Sequence, residues 1–459
     1  MEIEIISKEN IKPSSPTPNH LKIFELSLLD QLVLNPYVPL VLYYHNDNGD
    51  TVLQAYERSL ALKESLSKTL TQFYPLAGTI KNDLSIDCND VGAYYALALV
   101  RRRLDEFLSY PDNSLINMLL PFPPSFKGSS AGARVTNVQV NIFECGGIAI
   151  SLCISHKIVD GASLYTFLKA WSNMACGAKE VVYPNFTTAS LFPAKDLWLR
   201  EASMAVCGSW LKEGKCSTKR FVFDATAISA LKAEASRNGV QNPTRVEVVS
   251  ALIWKCAMAA SQKTSGFQKP SRLMHSVNLR RKLPSTLSKD LIGNVLWIAT
   301  ADYQANYDTT LHGLAEKVRK SIFKIDNQFV DQAQGDKGYI AMQQSVKEMG
   351  EIRSKGTMDN YLFTSWCRMG FYNIDFGWGK PSWVAGVVGH GSPVFMNIIT
   401  LMDTKYGEGI EAWVNLDEEE MEILQSNSEL LSFASLDPSS LPNDEVASLK
   451  KPHAMNIQI

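Results

Sequence analysis

The residue types best suited to bond making gather in residues 148–164, IAISLCISHKIVDGASL. His156 and Asp160 stand four apart, and Gly161 follows the aspartate. An imidazole can take a proton from a hydroxyl near neutral pH, which is the task of a general base. A carboxylate four residues on could orient that ring, as in a catalytic triad, or could hold the turn that follows it. An isolated histidine in such a place is more often a core residue bonded to a carbonyl. The HxxxDG spacing shifts the balance towards chemistry. A second cluster, Asp375-Phe376-Gly377-Trp378-Gly379, sets two glycines around a tryptophan. That pattern demands unusual backbone geometry and reads as a structural turn. Its first three residues also match a kinase triplet, but no HRD catalytic loop and no glycine-rich loop precede it. Gly128-Ser129-Ser130-Ala131-Gly132 fits the GxSxG pattern of a nucleophile elbow. It follows the proline-rich PFPPSFK and precedes the strand-like ARVTNVQV, which is the wrong context for a strand-to-helix elbow.

The elements around these clusters explain how they would be held. Alternation puts Ile148, Ile150, Leu152 and Ile154 on one strand face, and His156 continues that face at the strand end. Asp160 and Gly161 then turn the chain into a helix over 162–175, with Leu164, Phe167, Leu168 and Trp171 on one stripe. An earlier helix is expected over 53–73, where Leu62, Leu66, Leu70 and Phe73 recur before Tyr74-Pro75. Strands are expected near 2–6, in TIKNDLSID, YYALALV, ARVTNVQVNIFE and IAISLCIS, with Cys145-Gly146-Gly147 as a hairpin turn. Residues 177–218 lack sustained periodicity and read as a long crossover. Beyond them, KRFVFD, MHSVNL, NVLWIATADY, NYLFTSW, PSWVAGVV, FMNIITLMD and GIEAWVNL are strand-like. Helices are expected near 225–237, 244–260, 308–325 and 337–350. Strands and helices mixed in both halves predict an α/β or α+β protein with two domains, residues 1–176 and 219–459, joined by the crossover.

Composition narrows the partners. The 459 residues carry 45 basic and 47 acidic side chains, which leaves no polyanion-binding footprint for nucleic acid or an anionic membrane. No uninterrupted apolar run approaches membrane-spanning length, and MEIEIISKENIK does not read as a secretory signal. The eight cysteines form no CxxC pair, and the histidines other than His156 form no metal-ligand pair, so no metal is expected. His390, in GHGSP, reads as part of a surface loop. A cytoplasmic location is expected.

The HxxxDG and DFGWG motifs, 219 residues apart (375 − 156), resemble those of the BAHD acyltransferases of plant specialised metabolism. Smaller pieces extend the resemblance over essentially the whole chain: LSLLDQ at 26–31, FYPLAG at 73–78, VNLR at 277–280 and GIEAWV at 409–414. IDCND, FECGG, KRFVFD and FTSWCR look most like the branch that acetylates alkaloids, a branch that acylsugar and terpenoid acyltransferases also resemble. The resemblance implies two chloramphenicol acetyltransferase-like domains with a channel at their interface. It implies a monomer with no permanently bound cofactor, acyl-CoA (above all acetyl-CoA) as co-substrate, and a hydroxylated alkaloid or terpenoid as acceptor. His156 would be the general base. Asp160 would turn away from it to pair with Arg280, supporting the site together with Gly161. Thr364 and Trp366 would contact the oxyanion, and Asp375, Gly377, Trp378 and Gly379 would shape the floor of the CoA side. The rival readings are a larger acyl donor or an acylsugar acceptor on the same fold, and a catalytically silent binder.

Overall fold

The computed structural model describes residues 1–34, 36–46, 51–126, 128–194, 198–237, 239–304, 309–351, 358–386 and 393–441. His390 and the end of the run that opens at Pro381 lie outside the described residues.

Two sheets organise the chain. The first has six strands in the order Ile3–Ile11, Ala93–Val100, Thr136–Phe143, Ile148–Ser155, Tyr37–Tyr44 and Trp383–Ala385. Every residue of Ile148–Ser155 is buried, because the strand lies inside the sheet between two antiparallel neighbours. The helices Val52–Gln72 and Gly161–Ala175 pack on each other. Trp171, fully buried, bridges them by donating its indole N–H to Leu62 O and Ser65 Oγ, each at 3.1 Å. The longer helix opens on a capping box between Thr51 and Gln54 and buries Leu62, Leu66 and Leu70 at helical spacing.

The second sheet has seven strands in the order Leu296–Tyr303, Ser271–Asn278, Asp359–Ser365, Ile398–Asp403, Ile410–Asp417, Cys216–Phe223 and Ser435–Leu436. The helices Ala225–Arg237, Arg245–Ser265, Leu311–Phe323 and Glu418–Gln425 share one core with it.

Two features depart from the sequence expectation. The segment 177–218 is not without elements: it holds the helix Trp198–Gly208, the short strand Leu211–Glu213 and the first residues of Cys216–Phe223. The helix buries Leu199, Ser203 and Cys207 at helical spacing, a short stripe with a polar residue at its centre. The sheets also do not divide the chain at a single point. Trp383–Ala385, from the second half, pairs with Tyr43–Val41 at the edge of the first sheet.

The DFGWG turn belongs to this seam. Asp375 Oδ1 accepts the N–H groups of Gly377 at 2.8 Å and Gly379 at 3.0 Å, and both glycines have positive φ, 105° and 112°. The turn drives the buried Phe376 into the first half, edge-on to Trp171 at 5.1 Å, with Trp378 stacked behind it at 5.7 Å.

Candidate active site

His156 follows the central strand Ile148–Ser155, where its own N–H donates to Pro36 O at 2.8 Å. Its ring lies in the wall shared by two cavities. His156 Nδ1 is 2.8 Å from Asn294 Oδ1. The orientation of that amide is set by its other end: Asn294 Nδ2 donates to His156 O at 2.7 Å and to Asp30 Oδ1 at 3.0 Å. With both amide hydrogens spent on acceptors, Oδ1 must accept, so Nδ1 carries a hydrogen, and in the neutral ring Nε2 then keeps its lone pair. Nε2 has no partner among the described residues.

Asp30 anchors Asn294 in turn. Its Oδ1 also accepts Asn294 N–H at 2.6 Å, while Oδ2 accepts Ser27 N–H at 3.0 Å and Ser27 Oγ–H at 2.6 Å. Burial pushes this carboxyl above its ordinary range, against the pull of those four hydrogen bonds.

Asp160 faces elsewhere. Arg280 reaches it at 2.6 Å and 3.1 Å, and it also accepts Ser163 N–H at 2.8 Å and Val295 N–H at 3.1 Å. It thereby caps the helix Gly161–Ala175. The Arg280 guanidinium continues to Leu291 O and Gly293 O, both at 2.9 Å. The Asp160–Arg280 pair thus clamps residues 291–295, the segment that presents Asn294 to His156. Gly161 is required by a close approach: a Cβ there would meet Trp366 Nε1 at 2.8 Å.

Thr364, Trp366 and His156 line one cavity together with Asp160, Gly161 and Thr400. The Thr364 hydroxyl and the Trp366 indole N–H have no partner among the described residues. Thr400, paired in register with Thr364, adds a second hydroxyl to that wall. The other cavity runs towards Leu32, Cys207, Trp210 and Met396. Asp375, Gly377, Trp378 and Gly379 line neither cavity. Their turn acts on the site at a distance, by packing Phe376 against the helix that begins at Gly161. Ser130 lies exposed in a turn, with no helix after it. Among the described residues no cluster of His, Cys, Asp and Glu could hold a metal ion, and no helix is long and apolar enough to cross a membrane.

Sequence reasoning did not reach Asn294, Asp30, Thr400 or Ser276, which lines both cavities. The one available signal was the Ser27-x-x-Asp30 spacing in LSLLDQ, a helix-capping pattern.

Two mixed α/β halves around a histidine that lines two cavities fit a transferase. The family comparison agrees. Residues 1–431 match the model described as the Transferase family, and the chain belongs to it: it is a BAHD acyltransferase. A limonoid 7-O-acetyltransferase from Citrus sinensis is 43% identical, covering 96% of this chain and 100% of its own. The stemmadenine O-acetyltransferase of Catharanthus roseus is 36% identical, covering 93% and 97%. The crystal structure of vinorine synthase superposes with a TM-score of 0.78 at 34% identity, covering 96% of this chain and 100% of that one.

Proposed function

We propose that this chain transfers an acetyl group from acetyl-CoA to a hydroxyl of a plant alkaloid or terpenoid, acting as a cytoplasmic monomer. The observation that carries the reading is His156 itself. It sits where two cavities meet, with Nδ1 held by Asn294 and Nε2 unengaged. Nε2 takes the acceptor's hydroxyl proton as the oxygen attacks the thioester carbonyl. The carbonyl oxygen becomes an oxyanion, which accepts hydrogen bonds from Trp366 Nε1–H and the Thr364 hydroxyl. The tetrahedral intermediate collapses, the carbon–sulfur bond breaks, and His156 returns the proton to the departing thiolate. The ester and free CoA leave, and the imidazole is restored.

Asp160 and Arg280 act through structure in this scheme, holding residues 291–295, and the DFGWG turn fixes the helix behind the histidine. We read the domains as residues 1–176 and 219–459 with the crossover between them. The O-acetyltransferase names of the relatives support both the donor and the reaction type.

The test is thiol release from acetyl-CoA in the presence of hydroxylated alkaloids and terpenoids, with the ester product identified by mass. Release that depends on the acceptor and yields an acetyl ester supports the reading. Folded protein that releases no thiol with any acceptor overturns it.

A further inference from the structure

Resting on that acyl-transfer reading, we propose that the acceptor is an uncharged polycyclic alcohol with a hydrocarbon body, of terpenoid type, and not a protonated amine alcohol. Its body would fill the cavity that runs from His156 to Trp210.

That cavity opens from His156 towards Trp210 and adjoins the cavity that holds Thr364 and Trp366. Its walls include the turn after the helix Leu28–Gln31, the crossover helix Trp198–Gly208, the small sheet pairing Leu211–Glu213 with Val394–Met396, and the strands Leu296–Tyr303, Ser271–Asn278 and Asp359–Ser365. Leu32, Leu34, Trp210, Trp297 and Met396 make it mainly apolar. The polar groups in it are few. Ser203 spends its hydroxyl on Leu32 O at 2.9 Å. Burial pushes the Cys207 thiol up to about 11, so it carries no charge at neutral pH. Ser276 and His156 stand at the end shared with the other cavity, where the reacting hydroxyl must lie.

No Asp, Glu, Lys or Arg lines this cavity among the described residues. The adjoining cavity has a single carboxylate, Asp160, whose oxygens are taken by Arg280, Ser163 and Val295. An ammonium carried in on a substrate would lose its water and meet no counter-charge. Burying a cation unpaired is strongly unfavourable. The faces of Trp210 and Trp297 can return only part of that loss by cation–π attraction. A hydrocarbon skeleton has no such penalty and gains from every apolar contact.

The experiment uses the full chain, acetyl-CoA and a panel of matched acceptors. Each hydroxylated tetracyclic or pentacyclic terpenoid is paired with the same skeleton bearing a ring tertiary amine protonated at pH 7. kcat/KM for thiol release should favour the neutral member by about 100-fold, the scale of an unpaired buried charge partly offset. Leu34 is half-buried, so Leu34→Asp can place a carboxylate at the cavity wall without stranding it; that variant should narrow the ratio about tenfold. Equal or better use of the amine members by the unaltered protein overturns the inference and leaves acyl transfer standing. So does turnover of small neutral alcohols with no polycyclic member accepted. Absence of thiol release with every alcohol, neutral or charged, overturns the acyl-transfer reading beneath it.

Discussion

His156 Nδ1 lies 2.8 Å from Asn294 Oδ1, and Asp160 makes its hydrogen bonds to Arg280, Ser163 and Val295 instead. The group that orients the histidine is therefore an amide from another part of the chain. The aspartate of the same motif supports the segment that delivers it.

Removing the amide takes away the partner of the ring and one of the four hydrogen bonds of the buried Asp30 together, so a urea midpoint is read beside the kinetics. Asn294→Ala should lower kcat by about 100-fold while leaving KM for both substrates near its original value, because the ring loses its fixed tautomer and direction. Steady-state kinetics on the purified variant check this. A tenfold rise in KM with unchanged kcat would place Asn294 in substrate binding.

Asp160→Ala should damage stability and activity together. It leaves the Arg280 guanidinium, 11% exposed, facing an empty place, at a cost of about 3–5 kcal/mol. A urea titration beside an activity assay decides the matter. Normal stability with no turnover would restore the aspartate to a direct role on the histidine.

The two unengaged donors beside His156 can be tested by subtraction. Trp366→Phe keeps an aromatic ring against Phe371 while removing the N–H along with part of the bicycle, and kcat should fall about 100-fold. Unchanged kcat would leave Trp366 as a packing residue.

How far the sequence could be read follows the range of the interactions. The helix Val52–Gln72 was legible because Leu62, Leu66 and Leu70 repeat along one face and Tyr74-Pro75 ends it. His156 was legible because motif and strand alternation coincide. Asn294 was not: it stands in LIGNV without a reactive neighbour, and its partner lies 138 residues earlier. The strand Trp383–Ala385 likewise joins the first sheet by pairing with residues 41–43, a register that no local pattern encodes. The crossover helix Trp198–Gly208 buries Leu199, Ser203 and Cys207 at helical spacing, but the stripe is short and broken by a serine, yet it walls the apolar cavity.

Lys157, inside the motif, carries a separate prediction. Its side chain is 3% exposed and meets Asp83 at 2.6 Å, where Arg200 also arrives at 2.9 Å. Burial lowers the pKa of the Lys157 ammonium, with Asp83 opposing. Burial pushes the Asp83 carboxyl up, but Lys157 and Arg200 outweigh it and hold the group below its ordinary range. The partners point in opposite directions, and the lysine decides, since Asp83 is half-exposed and water screens its side of the pair. Asp83→Asn should therefore cost about 1–3 kcal/mol by stranding the ammonium, whereas Lys157→Met should stay within about 1 kcal/mol of the parent. Urea midpoints rank the two variants, and the reverse order would contradict this account.

His275 sets a pH dependence. It is buried, with Nδ1 3.1 Å from Ser276 O and no partner for Nε2 among the described residues, and burial holds its pKa below the ordinary value. In the unfolded chain the ring titrates near its ordinary pKa of about 6.5. Below that value the unfolded state binds more protons than the folded one, so stability rises with pH through this window and is lost as pH falls. Melting temperature should drop between about pH 7 and pH 5.5, and His275→Gln should flatten the drop. An unchanged slope would assign the acid sensitivity to other groups.

Removal of the acceptor's proton by His156 Nε2 is read most directly from one variant. His156→Ala, with unchanged circular dichroism and urea midpoint, is assayed for thiol release at saturating acetyl-CoA and acceptor. The account predicts a loss of at least about 100-fold, the lower end for a general base. A folded variant that keeps a tenth or more of the original rate would contradict it.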